Sequence, residues 1–223
     1  MKRFVSVLLT AIMIFFVFSL SGFAQNTKAE EYYEKIVNTE EITVKVKSFN
    51  YYDNEVAEQD IVFCRKGDSI SLEFSLPPVY DGVPFPLGNA KIVLKDEKAV
   101  LFFTWWPFFS VEIPSDAFEY VLPEGGVTEN LTCLSGEEKT INGELCFVEN
   151  YTDEEGNTAE YIFVGNELKS VSSKDPDGNI IAEIQIEEIS YSVAWYQFLT
   201  PFITIDLNDG FIDIDDLKIS GIL

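Results

Sequence analysis

The sequence predicts a mainly β protein of the α+β class, in which a curved antiparallel sheet is covered on one face by an N-terminal helix and a short second helix. Three observations lead to this prediction. Strand-like segments follow one another through most of the chain, turns rich in glycine, asparagine and aspartate separate them, and only two segments have helical spacing of apolar residues. A strongly curved sheet with an apolar concave face needs cover, which helices can supply.

The first 24 residues have the pattern of a secretory signal peptide. Lys2 and Arg3 precede an apolar run that begins at Phe4, and small residues, ending with Ala24, stand at the cleavage position. The alternative is an uncleaved membrane anchor, for which the apolar run is slightly short. Gln25 rather than a cysteine follows the expected cleavage site, so we expect a secreted or extracytoplasmic protein that is not a lipoprotein.

Residues 25–223 are expected to form one domain, and its composition excludes several functions. The chain has 15 basic and 38 acidic residues, and loss of the signal peptide with Lys2 and Arg3 leaves a formal charge of −25. Such a charge repels nucleic acid and anionic bilayers. The sequence has no histidine, which excludes histidine-based nucleophilic catalysis and histidine zinc sites. We therefore expect a non-enzymatic protein without a cofactor.

The N-terminal helix is expected over residues 28–37. Thr27 and Glu30 have the spacing of a capping box, and the apolar residues that follow recur at helical spacing. These apolar residues are Ala29, Tyr32, Tyr33, Ile36 and Val37. The short second helix is expected in SDAFEYVL, which begins at Ser115.

The strands are expected in two groups. In the first half, EITVKVKSFN, QDIVFCRK, SISLEFS and AKIVLKD are strand-like, and Ile42, Val44 and Val46 alternate with polar neighbours to give one apolar face. In the second half, ELCFVENYT, AEYIFVGN, ELKSVSSK and NIIAEIQIEEIS form a predicted antiparallel meander, with DEEGN, GN and DPDGN as its turns. The proline-rich PPVYDGVPFPLG is expected to be a long loop inside the same domain.

Three cysteines follow the signal peptide. Cys133 and Cys146 flank a predicted tight turn at Asn142-Gly143, so in an exported chain a disulfide between them is predicted, with Cys64 left over. The alternative is that all three are small, buried and unpaired residues.

The order of these segments resembles the lipoprotein-carrier-like superfamily, which includes LolA/LolB-like and LppX/LprG-like proteins. The resemblance is carried by AEEYYEKIVNTEEITVKVKS, FCRKGDSISLEF, KIVLKDEKAVLFFTWWPFF and the meander with its DPDGN hairpin, and by Phe198 and Pro201 in FLTPFITID. It implies an unclosed β half-barrel whose hydrophobic hollow is capped by helices. It also implies a hydrophobic ligand, such as a lipid or acyl chain, or an acylated partner such as a lipoprotein or cell-envelope protein. The alternative is a cell-surface interaction domain of the same fold with a filled core and an acidic binding face.

The segment VLFFTWWPFFSVEIP, residues 100–114, is the strongest candidate for the wall of the hollow. Strand alternation would place Phe103 and Trp105 on one side, continued by Phe109, and Phe102, Thr104 and Trp106 on the other, where they would face outward and could meet a partner. Alternation does not decide which side faces the helix. Tyr33 and Ile36 of the helix complete the predicted ligand-binding set. The alternative, in which all these rings fill a dry core, stays open.

The C-terminal segment DLNDGFIDIDDL, which begins at Asp206, is similar to the calcium loop of EF-hand modules. It is one residue short between Asn208 and Asp209. We therefore expect an acidic turn and no metal site.

Overall fold

The computed structural model describes most of the domain in eight segments. They are residues 27–52, 55–75, 79–80, 83–84, 88–96, 98–106, 108–113 and 131–206. The predicted signal peptide and the predicted second helix lie outside these segments. So does the acidic C-terminal loop beyond Asp206.

The described chain contains one α-helix and fourteen strands. The helix, α1, spans Lys28–Val37, and a short 3-10 helix spans Trp195–Phe198. The strands are β1 (Glu41–Tyr52), β2 (Glu55–Lys66), β3 (Ser69–Ser75), β4 (Val79–Tyr80), β5 (Val83–Pro84), β6 (Asn89–Lys95), β7 (Lys98–Phe103), β8 (Phe109–Ile113), β9 (Thr132–Ile141), β10 (Glu144–Thr152), β11 (Thr158–Val164), β12 (Glu167–Lys174), β13 (Ile180–Ser190) and β14 (Ile203–Asp206).

Twelve strands form one sheet, which confirms the predicted fold class. Their order is β14-β8-β7-β6-β3-β2-β1-β13-β12-β11-β10-β9, and β4 pairs with β5 separately. The neighbours are antiparallel, except that β14 runs parallel to β8. β14 and β9 are the two edges, so the sheet is an unclosed half-barrel.

The predicted turns join the strands of the meander. Asn142 and Gly143 both have positive φ, 52° and 86°, as a tight hairpin turn between β9 and β10 requires. The DPDGN turn is closed by Asp175, whose carboxylate accepts the backbone N–H of Asn179 at 2.8 Å and its side-chain amide at 2.9 Å. Asp153 does the same for Asn157 in DEEGN, at 2.8 and 2.7 Å. These carboxylates fix the turn backbone locally.

The main core lies between α1 and the sheet. Successive side chains of a strand point to opposite faces of the sheet, so one face of each strand contributes apolar residues to this core. Ala29, Tyr32 and Ile36 of the helix pack with sheet residues that include Ile42, Val44, Ile61, Phe63, Leu72, Tyr161 and Phe163. We call this side of the sheet the helix-facing side.

A second, smaller cluster lies on the opposite side of the sheet. Val93, Val100 and Phe102 are buried there, and Phe198 of the 3-10 helix packs against them. Beside it, the buried ammonium of Lys91 donates a hydrogen bond to Oε1 of Gln197 at 2.8 Å. The 3-10 helix is therefore attached to the outer side of the sheet by one aromatic and one polar contact.

The predicted disulfide between Cys133 and Cys146 is wrong. Both are free thiols, as is Cys64. In the hairpin, Cys133 is opposite Tyr151 and Cys146 is opposite Lys139. The six-residue offset separates the two cysteines by roughly 20 Å along the strands, whereas a disulfide needs Cα atoms within about 7 Å. Flanking a turn brings two cysteines together only if they occupy paired positions, and these do not.

Among the described residues, α1 is too short and too polar to cross a membrane, and the 3-10 helix has only four residues.

Candidate functional site

The first turn of α1 is held to the sheet by a buried carboxylate. Glu149 of β10 is 3% exposed, and its two oxygens accept the backbone N–H groups of Lys28 at 2.7 Å and Ala29 at 2.9 Å. The Tyr151 hydroxyl donates a third hydrogen bond at 2.8 Å. The first N–H groups of a helix have no partner within the helix and carry partial positive charge, so an anion is favoured there. Thr27 completes the cap by accepting the N–H of Glu30 at 3.2 Å.

The other end of α1 is held by a cation. The Arg65 guanidinium of β2 donates to the carbonyl of Ile36 at 2.8 Å and also to the carbonyl of Thr39. Burial lowers the pKa of Arg65. A positive charge at the last carbonyl groups of a helix complements the helix dipole. The sheet therefore supplies an acid at the start of the helix and a base at its end, and these two contacts set where the helix lies.

The two predicted site residues of α1 lie in this packed region. Ile36 is buried in the main core, and Tyr33 is half-buried against it. Burial raises the pKa of Tyr33, and the nearby Arg65 opposes the rise. Both side chains help to fill the space between the helix and the strands from β10 to β2.

The strand register decides which side of β7 faces the helix. Phe103 is paired with Ala90, Ala90 with Phe74, and Phe74 with Ile61, which lies in the main core. Directly paired residues share a face of the sheet, so Phe103 lies on the helix-facing side. Leu101 is paired with Val111 of β8, which places Phe109, two residues earlier, on the same side. Phe102 lies on the opposite side, buried under the 3-10 helix rather than facing outward.

Four aromatic rings continue the helix-facing side past the end of β7. Trp105 stacks on Phe103 with ring centroids 5.9 Å apart, Trp106 stacks on Trp105 at 5.8 Å, and Phe109 meets Trp106 edge-on at 5.6 Å. We call Phe103, Trp105, Trp106 and Phe109 the aromatic ladder. The two tryptophans are 45% and 50% exposed, while the two phenylalanines are half-buried. Among the described residues, the ladder is therefore an apolar surface that is partly exposed to solvent.

The prediction that Trp106 faces away from Trp105 is wrong. β7 ends at Phe103, and residues 104 and 105 form a turn in which the Trp106 N–H bonds to the carbonyl of Phe103 at 3.0 Å. Side chains alternate between two faces only while the backbone is extended. Once the chain turns, both indoles lie on the same side.

Gly88 makes room for the ladder. A Cβ atom at residue 88 would lie 2.3 Å from Cδ1 of Trp105, which is far inside van der Waals contact. The position beside the ring therefore needs a residue without a side chain. Thr104 adds to the fixation of this turn, because its backbone N–H donates to the carbonyl of Asn89 at 2.8 Å.

The ladder is suited to apolar contacts. The ladder presents ring faces and no ionisable group. Within the ranges that the structure describes, no cluster of cysteine, aspartate and glutamate has the arrangement of a metal site. The buried acid, Glu149, already accepts three hydrogen bonds in holding the helix.

Sequence reasoning missed Glu149 and Arg65. A signal for Glu149 is present, because ELCFVENYT places this acid on the same strand face as the aromatic residues Phe147 and Tyr151. Charged residues are rarely buried unless they are paired, so an acid on an apolar face indicates a partner. The identity of that partner, the start of α1, could not be obtained from the strand alone.

No family model matches the chain, and no curated protein matches it. Solved structures do resemble it. An uncharacterized conserved protein from Thermus thermophilus has 9% sequence identity, with 81% of this chain and 99% of that chain covered and a TM-score of 0.50. The Mycobacterium tuberculosis lipoprotein LppX has 10% identity, with 75% of this chain and 95% of that chain covered and a TM-score of 0.47.

The chain has the predicted half-barrel fold. At 9% identity the likeness to the Thermus protein concerns the fold alone. The aromatic ladder and the way in which α1 is attached are properties of this chain's own residues.

Proposed function

We propose that this chain is a secreted, non-enzymatic protein that binds a hydrophobic ligand on the helix-facing side of its half-barrel. The ligand is a lipid or acyl chain, either free or attached to a partner protein. The observation that carries the proposal is the aromatic ladder, an apolar surface that adjoins the core and stays open to solvent.

A hydrophobic ligand is expected to bind the ladder because binding would bury the exposed area of the rings. Each methylene group of an acyl chain gains about 0.8 kcal/mol when it leaves water for an apolar contact. Aromatic rings supply large, rigid contact surfaces that lose little conformational freedom on binding. A ligand that covers Trp105 and Trp106 would therefore remove apolar surface of both partners from water.

The packing of α1 favours one end of the half-barrel as the place for the ligand. α1 packs on the main core, where Ile36 is only 4% exposed. At the other end, Phe74 and Leu101 are only half-buried beside the ladder. In this proposal Phe103, Trp105 and Phe109 contact the ligand, whereas Tyr33 and Ile36 belong to the packed core under α1.

A fluorescent fatty acid tests the proposal. Wild type should bind an anthroyloxy-labelled fatty acid, and Trp105→Ala should weaken binding about tenfold, because the loss of about 1.4 kcal/mol of contact changes a dissociation constant tenfold. The matched control is Trp195→Ala, which removes an exposed indole from the 3-10 helix on the opposite side of the sheet. It should leave the affinity unchanged.

Native mass spectrometry of the purified protein gives a second measurement. Co-purifying lipid supports the proposal. A clean protein mass together with no uptake of the probe by wild type would contradict it, and would favour an interaction domain that uses its acidic outer surface.

A further inference from the structure

Two uncharged segments of the sequence meet at one corner of the sheet. Residues 99–111 and residues 189–205 contain no aspartate, glutamate, lysine or arginine, in a chain in which 24% of residues are charged. All three tryptophans of the chain lie in these two segments. Charged residues are therefore absent from two segments of an otherwise strongly acidic sequence.

The parallel pairing of β8 and β14 brings the two segments together. Ile203 is paired with Phe109, so the preceding residues, Phe108 and Phe202, lie at the same end of adjoining strands. Phe108 is 62% exposed and Phe202 is 102% exposed. Ile203 directly follows Phe202, Trp106 lies two residues before Phe108, and both are exposed as well. We call Trp106, Phe108, Phe202 and Ile203 the aromatic corner.

We propose that the aromatic corner docks the protein on a zwitterionic lipid surface. Tryptophan side chains favour the interface between lipid and water, and phenylalanine side chains can enter the apolar region just below it. A group of exposed apolar residues of this kind marks an interaction site, since soluble proteins rarely leave such a group in water. Because neither segment contains a charged residue, insertion of the corner desolvates no charge of these two segments.

The charge of the molecule selects the kind of lipid. Mature chains carry a formal charge of −25, so an anionic bilayer repels the protein and a zwitterionic one does not. The same charge opposes association of two copies through the corner. An uncharged, aromatic surface on an acidic protein is thus complementary to a lipid layer without net charge.

The corner adjoins the proposed ligand site. Trp106 belongs to both the corner and the ladder, and its ring contacts Trp105 on one side and Phe109 on the other. A lipid that leaves the bilayer at the corner would reach the ladder directly. Docking stands without ligand binding, but this route for the ligand rests on the proposed function.

Vesicle binding by the exported chain tests the inference. Wild type should co-sediment with phosphatidylcholine vesicles, and Phe108→Ser combined with Phe202→Ser should reduce partitioning about tenfold or more, because two exposed rings lose their contact with lipid. The matched control is Leu134→Ser combined with Leu145→Ser, which changes two exposed apolar residues of β9 and β10, at the opposite end of the sheet. This control should bind as wild type does.

Tryptophan emission reports the site of contact. In a Trp195→Phe background, only the indoles of Trp105 and Trp106 remain. Vesicles should shift their emission to the blue, and brominated phosphatidylcholine should quench it. Phosphatidylglycerol vesicles at low salt should bind less protein than phosphatidylcholine vesicles, because like charges repel.

Several results would overturn the inference. They are a wild type that does not bind phosphatidylcholine vesicles, a double variant that binds them as wild type does, tighter binding to phosphatidylglycerol, and a dimer in solution that the Phe108→Ser and Phe202→Ser changes dissociate.

Uptake of the fatty-acid probe without vesicles separates the two proposals. If the probe binds but the corner variant changes nothing, docking fails alone. If vesicle binding depends on the corner but the probe never binds, the proposed ligand function fails alone.

Discussion

The carboxylate of Glu149 accepts the backbone N–H of Ala29 at 2.9 Å, although the two residues are 120 positions apart in the sequence. This contact ties the first turn of the only described α-helix to the middle of β10. Since Arg65 holds the other end of the helix, the cover of the half-barrel is attached at both ends by charges of the appropriate sign.

Glu149→Gln is expected to lower the free energy of unfolding by about 2 to 3 kcal/mol, since hydrogen bonds to a charged group contribute about 1.5–3 kcal/mol and an amide cannot accept at both of its ends. Urea denaturation would measure the change. Glu144→Gln, an exposed acid in the same strand, is the control and should stay within about 0.5 kcal/mol of wild type. Equal stability of the two variants would show that the buried carboxylate does not hold the helix.

The buried tyrosines predict a loss of stability in alkali. Burial raises the pKa of Tyr32, Tyr151 and Tyr161, and the Glu149 carboxylate raises that of Tyr161 further. An unfolded tyrosine ionises near pH 10, so above this pH the unfolded chain binds fewer protons than the folded one. Stability is therefore full below about pH 10 and falls as the pH rises, by up to about 1.4 kcal/mol per pH unit for each tyrosine.

Tyr161→Phe measures the contribution of one of these residues. Denaturation midpoints of wild type and variant between about pH 9 and pH 11 should diverge above pH 10, with the shallower slope in the variant. Taking the difference between the two proteins cancels the titration of the lysines. Parallel curves would mean that Tyr161 ionises in the folded protein as easily as in the unfolded one.

All three cysteines are expected to be free. Intact-mass analysis after alkylation in denaturant, without a reducing agent, should show three adducts. In the native protein Cys64 should react slowly, because it is fully buried and burial raises its pKa. A single adduct in denaturant that rises to three after reduction would restore the bridge that the sequence predicted.

Gly88→Ala should displace the Trp105 ring, whose Cδ1 lies 2.3 Å from the position of the new Cβ atom. We expect a change in near-ultraviolet circular dichroism and weaker binding of the fatty-acid probe. Trp105→Ala removes the ring that is displaced, so adding Gly88→Ala to it should have no further effect on the probe. An additional loss in the double variant would place the action of Gly88 elsewhere.

Neighbouring aromatic residues on opposite sides of the sheet should differ in their effect on stability. Phe102 is buried with Val93 and Val100, so Phe102→Ala should cost about 3–5 kcal/mol. Trp105 is nearly half exposed, and Trp105→Ala should cost less than about 1 kcal/mol. Urea denaturation of both variants checks the contrast. If Trp105→Ala is as destabilising as Phe102→Ala, the ladder is part of a dry core.

Local sequence was sufficient to predict most of the secondary-structure elements. Thr27 and Glu30 predicted the start of α1, and the capping bond between them is present. Asn142-Gly143 predicted a tight turn, and the two Asp–Asn turns predicted hairpins of the meander, since each depends on backbone conformation and contacts within five residues. The resemblance to half-barrel carriers then supplied the overall shape of the sheet.

Tertiary structure alone decided the site. Alternation in β7 gives two equivalent faces, and only pairing with β6, β3 and β2 placed Phe103 toward the helix. The alternation of side chains in the sequence could not predict the turn that puts Trp106 beside Trp105. Nor could it predict the six-residue offset that separates Cys133 from Cys146. The contact of Glu149 with Ala29 and the pairing of Ile203 with Phe109 join residues roughly a hundred positions apart. Short-range patterns determine which residues share a face of an element, whereas register and the packing of distant elements determine which faces meet.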